Sequence, residues 1–131
     1  MHFCISHTAV EQGSLKFCSD IIKKCGEKNP TRMEDGLSTL HLAALEGRLE
    51  IFKFIAKNLD DQNPGSHGGS TPLHLAARAG HLSICSFIIE KLKDKNQSLN
   101  SGNNTGWTPL HSAAKNGYLK ICKVIIGKSN P

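Results

Sequence analysis

Histidine is the residue type that first raises the question of chemistry, because it recurs at one position of a repeated pattern. The four positions are His7, His41, His74 and His111. Histidine titrates near neutral pH and binds metal ions, so a cluster of rings would suggest acid–base or metal chemistry. Equivalent positions in stacked repeats are a whole repeat apart, so these rings form a row and cannot converge on one ion. The pattern therefore favours a structural role over a catalytic or metal-binding one.

The cysteines give the same answer. They are Cys4, Cys18, Cys25, Cys85 and Cys122. Their number is odd and no pair has the C-x-x-C spacing of a zinc site, which favours reduced thiols in an intracellular protein, cytoplasmic rather than nuclear. Cys18, Cys85 and Cys122 share a repeat position that Phe52 occupies in the second repeat, so we expect core packing there. Cys4 and Cys25 lie outside that position and are the better candidates for exposed thiols.

No other motif suggests an enzyme. The glycine-rich stretch 65–70 lacks the Gly-x-x-x-x-Gly-Lys-Ser/Thr phosphate loop, and there is no Gly-x-Ser-x-Gly nucleophile elbow. We therefore predict no catalytic residues, no cofactor and no metal site. Because apolar residues are 38% and charged residues 21% of the chain, neither disorder nor a membrane protein is expected.

The elements that position these residues follow from an internal repeat. Segments 36–44, 69–77 and 106–114 nearly superimpose, and each is followed by a glycine, at Gly47, Gly80 and Gly117. Those glycines are 33 and then 37 residues apart. Such a period indicates stacked supersecondary units. We predict one domain over 1–131, with repeats at 1–33 (degenerate), 34–66, 67–103 and 104–131 (truncated), and about four extra residues within 99–104.

Each unit is predicted to be a helix, a tight turn, a second helix and an extended loop. Thr71 can cap a helix that begins at Pro72, and Gly80 can end it through a left-handed turn. The second helix has an apolar stripe formed by Leu82, Ile84, Cys85, Ile88 and Ile89. No unit can bury its apolar face alone, so neighbouring units must stack.

The motif Thr-Pro-Leu-His-x-Ala-Ala at this period resembles the ankyrin repeat. Residues 71–77 and 108–114 match it fully, whereas 38–44 departs from it at Ser38 and Thr39. The resemblance covers essentially the whole chain. It implies an all-α solenoid of stacked helix-turn-helix units with projecting β-hairpin-like loops. It also implies histidines that hydrogen-bond to loop backbone between units, and a binding scaffold without catalytic apparatus.

Candidate contact residues are those that vary between repeats although the framework does not require it, and the resemblance implies that they face a concave groove. They are Leu37, Leu45, Glu46, Ser70, Arg78, Trp107, Lys115 and Asn116. Interface hot spots are enriched in Trp and Arg. Trp107, Arg78 and Lys115 are therefore the leading contacts, although Trp107 can also pack on its own loop.

Charge leaves two interpretations of the partner open. The net charge is +5, residues 104–131 carry four bases and no acid, and residues 34–66 carry six acids and three bases. This is either a solvated surface or the complement of a charged partner. The favoured function is protein–protein interaction through the concave face. The alternative is binding of nucleic acid or an acidic surface through the basic last repeat, but only 5% of the residues are aromatic.

The last apolar stripe bears on the assembly. Ile121, Val124, Ile125 and Ile126 are followed by only five residues. Solenoids generally need a polar closing face, so we expect either a monomer that tolerates this edge or a fragment of a longer repeat array. No run of apolar residues reaches the roughly 18 to 20 needed to span a bilayer, and we expect no membrane partner.

Overall fold

The computed structural model describes residues 10, 13–16, 19–20, 23, 31, 35–57, 59 and 61–129. Its named helices come in pairs that share a short turn. They are α1 (Thr39–Glu46) and α2 (Leu49–Ala56), α3 (Pro72–Ala79) and α4 (Leu82–Asp94), and α5 (Pro109–Lys115) and α6 (Leu119–Ser129). Within these residues there is no strand, only an isolated antiparallel bridge between Thr31 and Ser38. The expected all-α repeat solenoid is confirmed.

The first helix of each pair begins at a reciprocal cap built from one hydroxyl and one histidine. The Thr71 side chain accepts a hydrogen bond from the backbone N–H of His74, and the Thr71 N–H donates to His74 Nδ1 at 3.1 Å. Ser38 with His41, and Thr108 with His111, repeat this arrangement. Two backbone donors that a helix start would leave unpaired are thereby satisfied, which fixes where α1, α3 and α5 begin.

The turn between the two helices of a pair depends on glycine. Gly47 and Gly80 adopt φ values of 75° and 84° at the ends of α1 and α3. This left-handed conformation is unfavourable for residues with a Cβ atom, so glycine ends the first helix and redirects the chain into the second.

The core lies between two layers of helices. The first helices pack side by side, α1 on α3 and α3 on α5, while α4 packs on α6. Alanines occupy the contacts of the first layer, and Ala43, Ala44, Ala76 and Ala77 are fully buried. Their small side chains let neighbouring helices approach closely, so each unit buries apolar surface mainly against the next one.

The loops form a row of tight turns. Ser66 N–H donates to Ser70 O, and Asn103 N–H donates to Trp107 O, each at 2.8 Å. Neighbouring turns are also joined, since Asn104 N–H donates to Gly68 O at 3.0 Å. These bonds give the loops their β-hairpin-like form and hold their tips at a fixed spacing.

The extra residues of the third repeat lie in a helix and not in the loop. Asn63 Oδ1 accepts from Leu73 N–H, and Asn100 Oδ1 accepts from Leu110 N–H, so Asn63 and Asn100 are equivalent. The insertion therefore precedes Asn100, and the prediction of 99–104 is wrong. Helix α4 has 13 residues where α2 has 8, and the segment from α4 to Asn100 is one residue shorter than that from α2 to Asn63, which together give the four extra residues.

Most of the first predicted repeat lies outside the described residues, and with it His7, Cys4, Cys18 and Cys25. Val10, which is described, is fully buried. Across the part of the chain that the structure covers, no helix is long and apolar enough to cross a membrane.

Candidate functional site

The histidine row joins each unit to the next. His41 Nε2 hydrogen-bonds to Ser70 O at 2.9 Å, and His74 Nε2 hydrogen-bonds to Trp107 O at 2.8 Å. Because each Nδ1 accepts a backbone N–H at the helix cap, each Nε2 carries the proton and donates it to the carbonyl. The expected bond from histidine to loop backbone is thus confirmed. The described residues contain no group of His, Cys, Asp or Glu that could hold a metal ion.

Burial keeps these two rings neutral. Desolvation lowers the pKa of His41, against a smaller opposing effect of its bond to Ser70 O. Desolvation likewise lowers the pKa of His74. Because the neutral ring supplies the acceptor at Nδ1 and the donor at Nε2, protonation would remove the acceptor and break the helix cap.

Cys85 is fully buried, and burial raises the pKa of its thiol to about 12. A thiol that does not ionise near neutral pH is a poor nucleophile, which agrees with the packing role predicted for this repeat position. Cys122 is half-buried and, like Cys85, is a free thiol.

A cavity of about 310 Å³ opens where the last two described repeats meet. Its lining residues are Arg78, Trp107, Ser112, Lys115 and Asn116. Arg78 lies in the last turn of α3, Trp107 belongs to the loop before α5, and the others lie on α5 or at its end. The cavity is therefore built from two repeats. Its lining includes two cations and no carboxylate.

Trp107 is held in place by its own repeat. The indole Nε1–H donates to Ser112 Oγ at 3.0 Å, and the indole stacks on the ring of His111 with centroids 4.8 Å apart. The backbone N–H of Trp107 donates to Asn103 Oδ1 at 3.0 Å. The side chain remains 42% exposed, so it presents a fixed apolar face to the cavity.

Asn116 joins the two sides of the cavity. Its Nδ2 donates to Arg78 O at 3.0 Å and to Ser112 O at 3.2 Å. The amide therefore links the end of α3 to α5. The Arg78 and Lys115 side chains are exposed beside it.

The remaining predicted contact residues are not part of this cavity. Leu37 is half-buried and packs on the core, while Glu46 is exposed at the end of α1. Ser70 O and Leu45 O accept hydrogen bonds from His41 and His81 respectively, at 2.9 Å each. The eight predicted positions therefore divide into four that meet in one place and four that do not.

Ser112 is a lining residue that the sequence reasoning missed. It lies 5% exposed on α5, at the repeat position held by Leu42 in α1 and Leu75 in α3. A serine at a repeat position that is otherwise leucine could have identified Ser112 as a candidate from the sequence. It is explained by the bond that Ser112 accepts from the indole of Trp107.

Comparison with known families identifies a match over most of the chain. A family model of ankyrin repeats, in three copies, matches residues 6–98 and 61–131. No curated protein matches the chain. Ankyrin repeats are generally protein–protein interaction modules, and proteins built from them are typically non-enzymatic scaffolds.

Proposed function

The chain belongs to the ankyrin-repeat family, and we propose that it binds a partner protein through the concave face formed by its loop tips and first helices. The observation that carries this proposal is the cavity between α3 and α5. Four positions singled out by their variation between repeats, namely Arg78, Trp107, Lys115 and Asn116, line that one space. Residues that differ between repeats at positions where the fold requires no particular side chain are typical of a recognition surface.

The lining favours a partner segment that combines a carboxylate with an apolar side chain. Arg78 offers a planar guanidinium that can bind a carboxylate with two hydrogen bonds, and Lys115 adds a second positive charge. The indole of Trp107 is already ordered by Ser112 and His111, so little side-chain entropy is lost when a partner packs on it.

The test is a pull-down from lysate with the wild-type chain and a Trp107→Ala, Lys115→Glu variant, followed by titration calorimetry with the captured protein. The matched control is Leu119→Ala, Lys120→Glu, which makes the same chemical changes at exposed positions of α6. We expect the first variant to weaken binding at least about ten-fold, the loss typical of a hot-spot residue. The control is expected to bind as the wild type does.

Circular dichroism of each variant separates loss of binding from loss of fold. Equal capture of the partner by all three chains would show that the binding site lies outside this cavity. Capture of nucleic acid alone, lost as salt is raised, would instead support binding through the basic last repeat.

We also propose that the protein acts inside the cell, in the cytoplasm rather than the nucleus. The free thiols at Cys85 and Cys122 suit a reducing compartment, which supports the intracellular part of this proposal. Fluorescence microscopy of a tagged chain in its own cells would test this, and secretion or nuclear accumulation would contradict it.

A further inference from the structure

A second cavity, of about 490 Å³, lies on the second helices of the second and third repeats. We call it the lysine-rimmed groove. Its lining residues are Lys53, Ala56, Lys57, Gln62, Phe87 and Lys91. These residues belong to α2, α4 and the segment after α2, whereas the first cavity uses α3, α5 and a loop tip. The two cavities share no residue, so the groove is a separate surface.

The floor of the groove is apolar and well packed. The Phe87 ring meets the ring of Phe52 edge to face, with centroids 5.9 Å apart and planes at 85°. Phe52 is fully buried and Ala56 is 1% exposed, so the half-buried Phe87 rests on the core. A ring supported in this way offers a preformed contact for an apolar side chain.

The rim is positively charged. Lys53 Nζ lies 5.8 Å and Lys91 Nζ lies 5.4 Å from the centroid of the Phe87 ring. Lys57 Nζ lies 5.0 Å from the ring of Phe54. Among the described residues, no carboxylate forms an ion pair with any of these three lysines. The aromatic faces of Phe87 and Phe54 give these ammonium groups a favourable contact.

The side chain of Gln62 links the two repeats that form the groove. Gln62 Nε2 donates to Ala56 O at 3.1 Å, and Gln62 Oε1 accepts from Lys95 Nζ at 2.9 Å. Gln62 follows α2 and Lys95 follows α4, so this bond joins the two repeats across the groove.

We propose that the lysine-rimmed groove binds an acidic peptide segment of a partner protein, with one aromatic or aliphatic side chain on Phe87 and flanking carboxylates at Lys53, Lys57 and Lys91. Carboxylates supply the charge that the rim lacks, and such complementarity gives both specificity and fast association. The groove is lined by one aromatic ring, that of Phe87, whereas single-stranded nucleic acids stack successive bases on several rings, so the lining favours a peptide. This surface acts independently of the concave face.

The test uses the full chain and fluorescence anisotropy with a labelled heptapeptide of Asp and Glu residues around one central phenylalanine. The Lys53→Glu, Lys91→Glu variant is expected to weaken binding at least about ten-fold, because each change turns attraction into repulsion. The matched control is Lys120→Glu, Lys123→Glu, which alters the net charge equally at exposed positions of α6. It is expected to change the Kd less than about two-fold, because neither lysine lines the groove and salt weakens the interactions of solvent-exposed charges.

Two further arms make the result specific. A peptide with serine in place of the phenylalanine is expected to bind several-fold more weakly, which tests the contact with Phe87. The Trp107→Ala, Lys115→Glu variant is expected to bind the original peptide as the wild type does, so failure of one surface is distinguishable from failure of the other.

Equal losses in the two lysine variants would overturn the proposal, because net charge alone would then explain binding. Absence of saturable binding up to about 1 mM peptide would overturn it as well. Binding of phosphatidylserine vesicles without binding of the peptide would reassign the groove to a membrane surface.

Discussion

At the residue scale, one histidine ring serves both the helix cap and the contact between repeats. The Nδ1 atom of His74 accepts at the start of α3, while its Nε2–H reaches a carbonyl 33 residues away. His41 does the same one repeat earlier. The row of histidines was evident from the sequence. The proton position was not, because it depends on which groups the folded chain brings to each nitrogen.

The lowered pKa values of His41 and His74 predict a stability that falls in mild acid. In the unfolded chain histidine titrates near pH 6.5, so the unfolded state takes up protons first as the pH drops below that value. The contribution is complete above about pH 6.5 and declines toward the lowered folded-state pKa, by at most about 1.4 kcal/mol per pH unit for each ring. Urea denaturation across this range would measure it.

The control is a His41→Gln, His74→Gln chain. It lacks these two titrating groups and retains all the others, so its stability is expected to vary less with pH in this window. An unchanged pH dependence in that chain would show that other groups cause the effect.

At the element scale, the sequence predicted the bounds of the first helix of a pair better than the length of the second helix. Pro72 and Gly80 bracket α3, because proline and glycine leave little conformational choice at those positions. Helix α4 continues to Asp94 because residues 90–94 include no glycine or proline, and buried Leu92 extends its apolar stripe. The apolar Leu92 and the lack of glycine or proline at 90–94 could therefore have located the insertion from the sequence.

The length of α4 also explains why the lysine-rimmed groove was not predicted. Lys91 lies in the part of α4 that has no counterpart in α2, and Lys53 comes from the neighbouring repeat. Comparison of equivalent positions cannot reveal a site whose members are not equivalent. By contrast, Trp107 and Arg78 occupy positions that each repeat fills differently, so comparison does find them.

The turns between paired helices give a prediction that separates two costs. Alanine at Gly117 (φ 75°) meets no atom within 4 Å, so Gly117→Ala is expected to cost only the left-handed backbone, about 1–2 kcal/mol of unfolding free energy. Alanine at Gly80 (φ 84°) would place its Cβ 2.7 Å from Tyr118 Cζ. Gly80→Ala is therefore expected to be more destabilising in urea denaturation by the cost of displacing the partly exposed Tyr118 ring.

Adding Tyr118→Ala to Gly80→Ala provides the control, since it removes the atoms that the new Cβ would meet. The effect of Gly80→Ala measured in that background is expected to approach that of Gly117→Ala. Equal losses for the two single glycine variants would contradict the steric explanation.

At the scale of the whole molecule, the last repeat exposes the surface that the previous repeats bury. Ile126 is 46% exposed, whereas Ile89 and Ala56 at the same repeat position are 0% and 1% exposed. His111 is likewise exposed, in contrast to His41 and His74. The sequence showed the apolar stripe of α6, but its exposure depends on what stacks against it.

Alanine substitution of Ile89 and of Ile126, which share one repeat position, tests this difference in exposure. Ile89→Ala is expected to lower the unfolding free energy by about 2–5 kcal/mol, because a fully buried side chain leaves a cavity. Ile126→Ala is expected to cost less than about 1 kcal/mol, because the side chain is already half in water. Thermal or urea denaturation of both variants measures the difference, and similar losses would mean that the face on α6 is covered in solution.

The bond from Asn116 to Arg78 O has a mechanical consequence. It crosses the boundary between two repeats at the point where the first cavity opens, so the cavity keeps its form only while α3 and α5 stay in register. A ligand that contacts both α3 and α5 would add a second link across the boundary between the two repeats. Tighter binding would then raise the force needed to separate the last repeat from the preceding one. A force applied to α6 would have to break the contacts with the ligand before the repeats could unfold one after another.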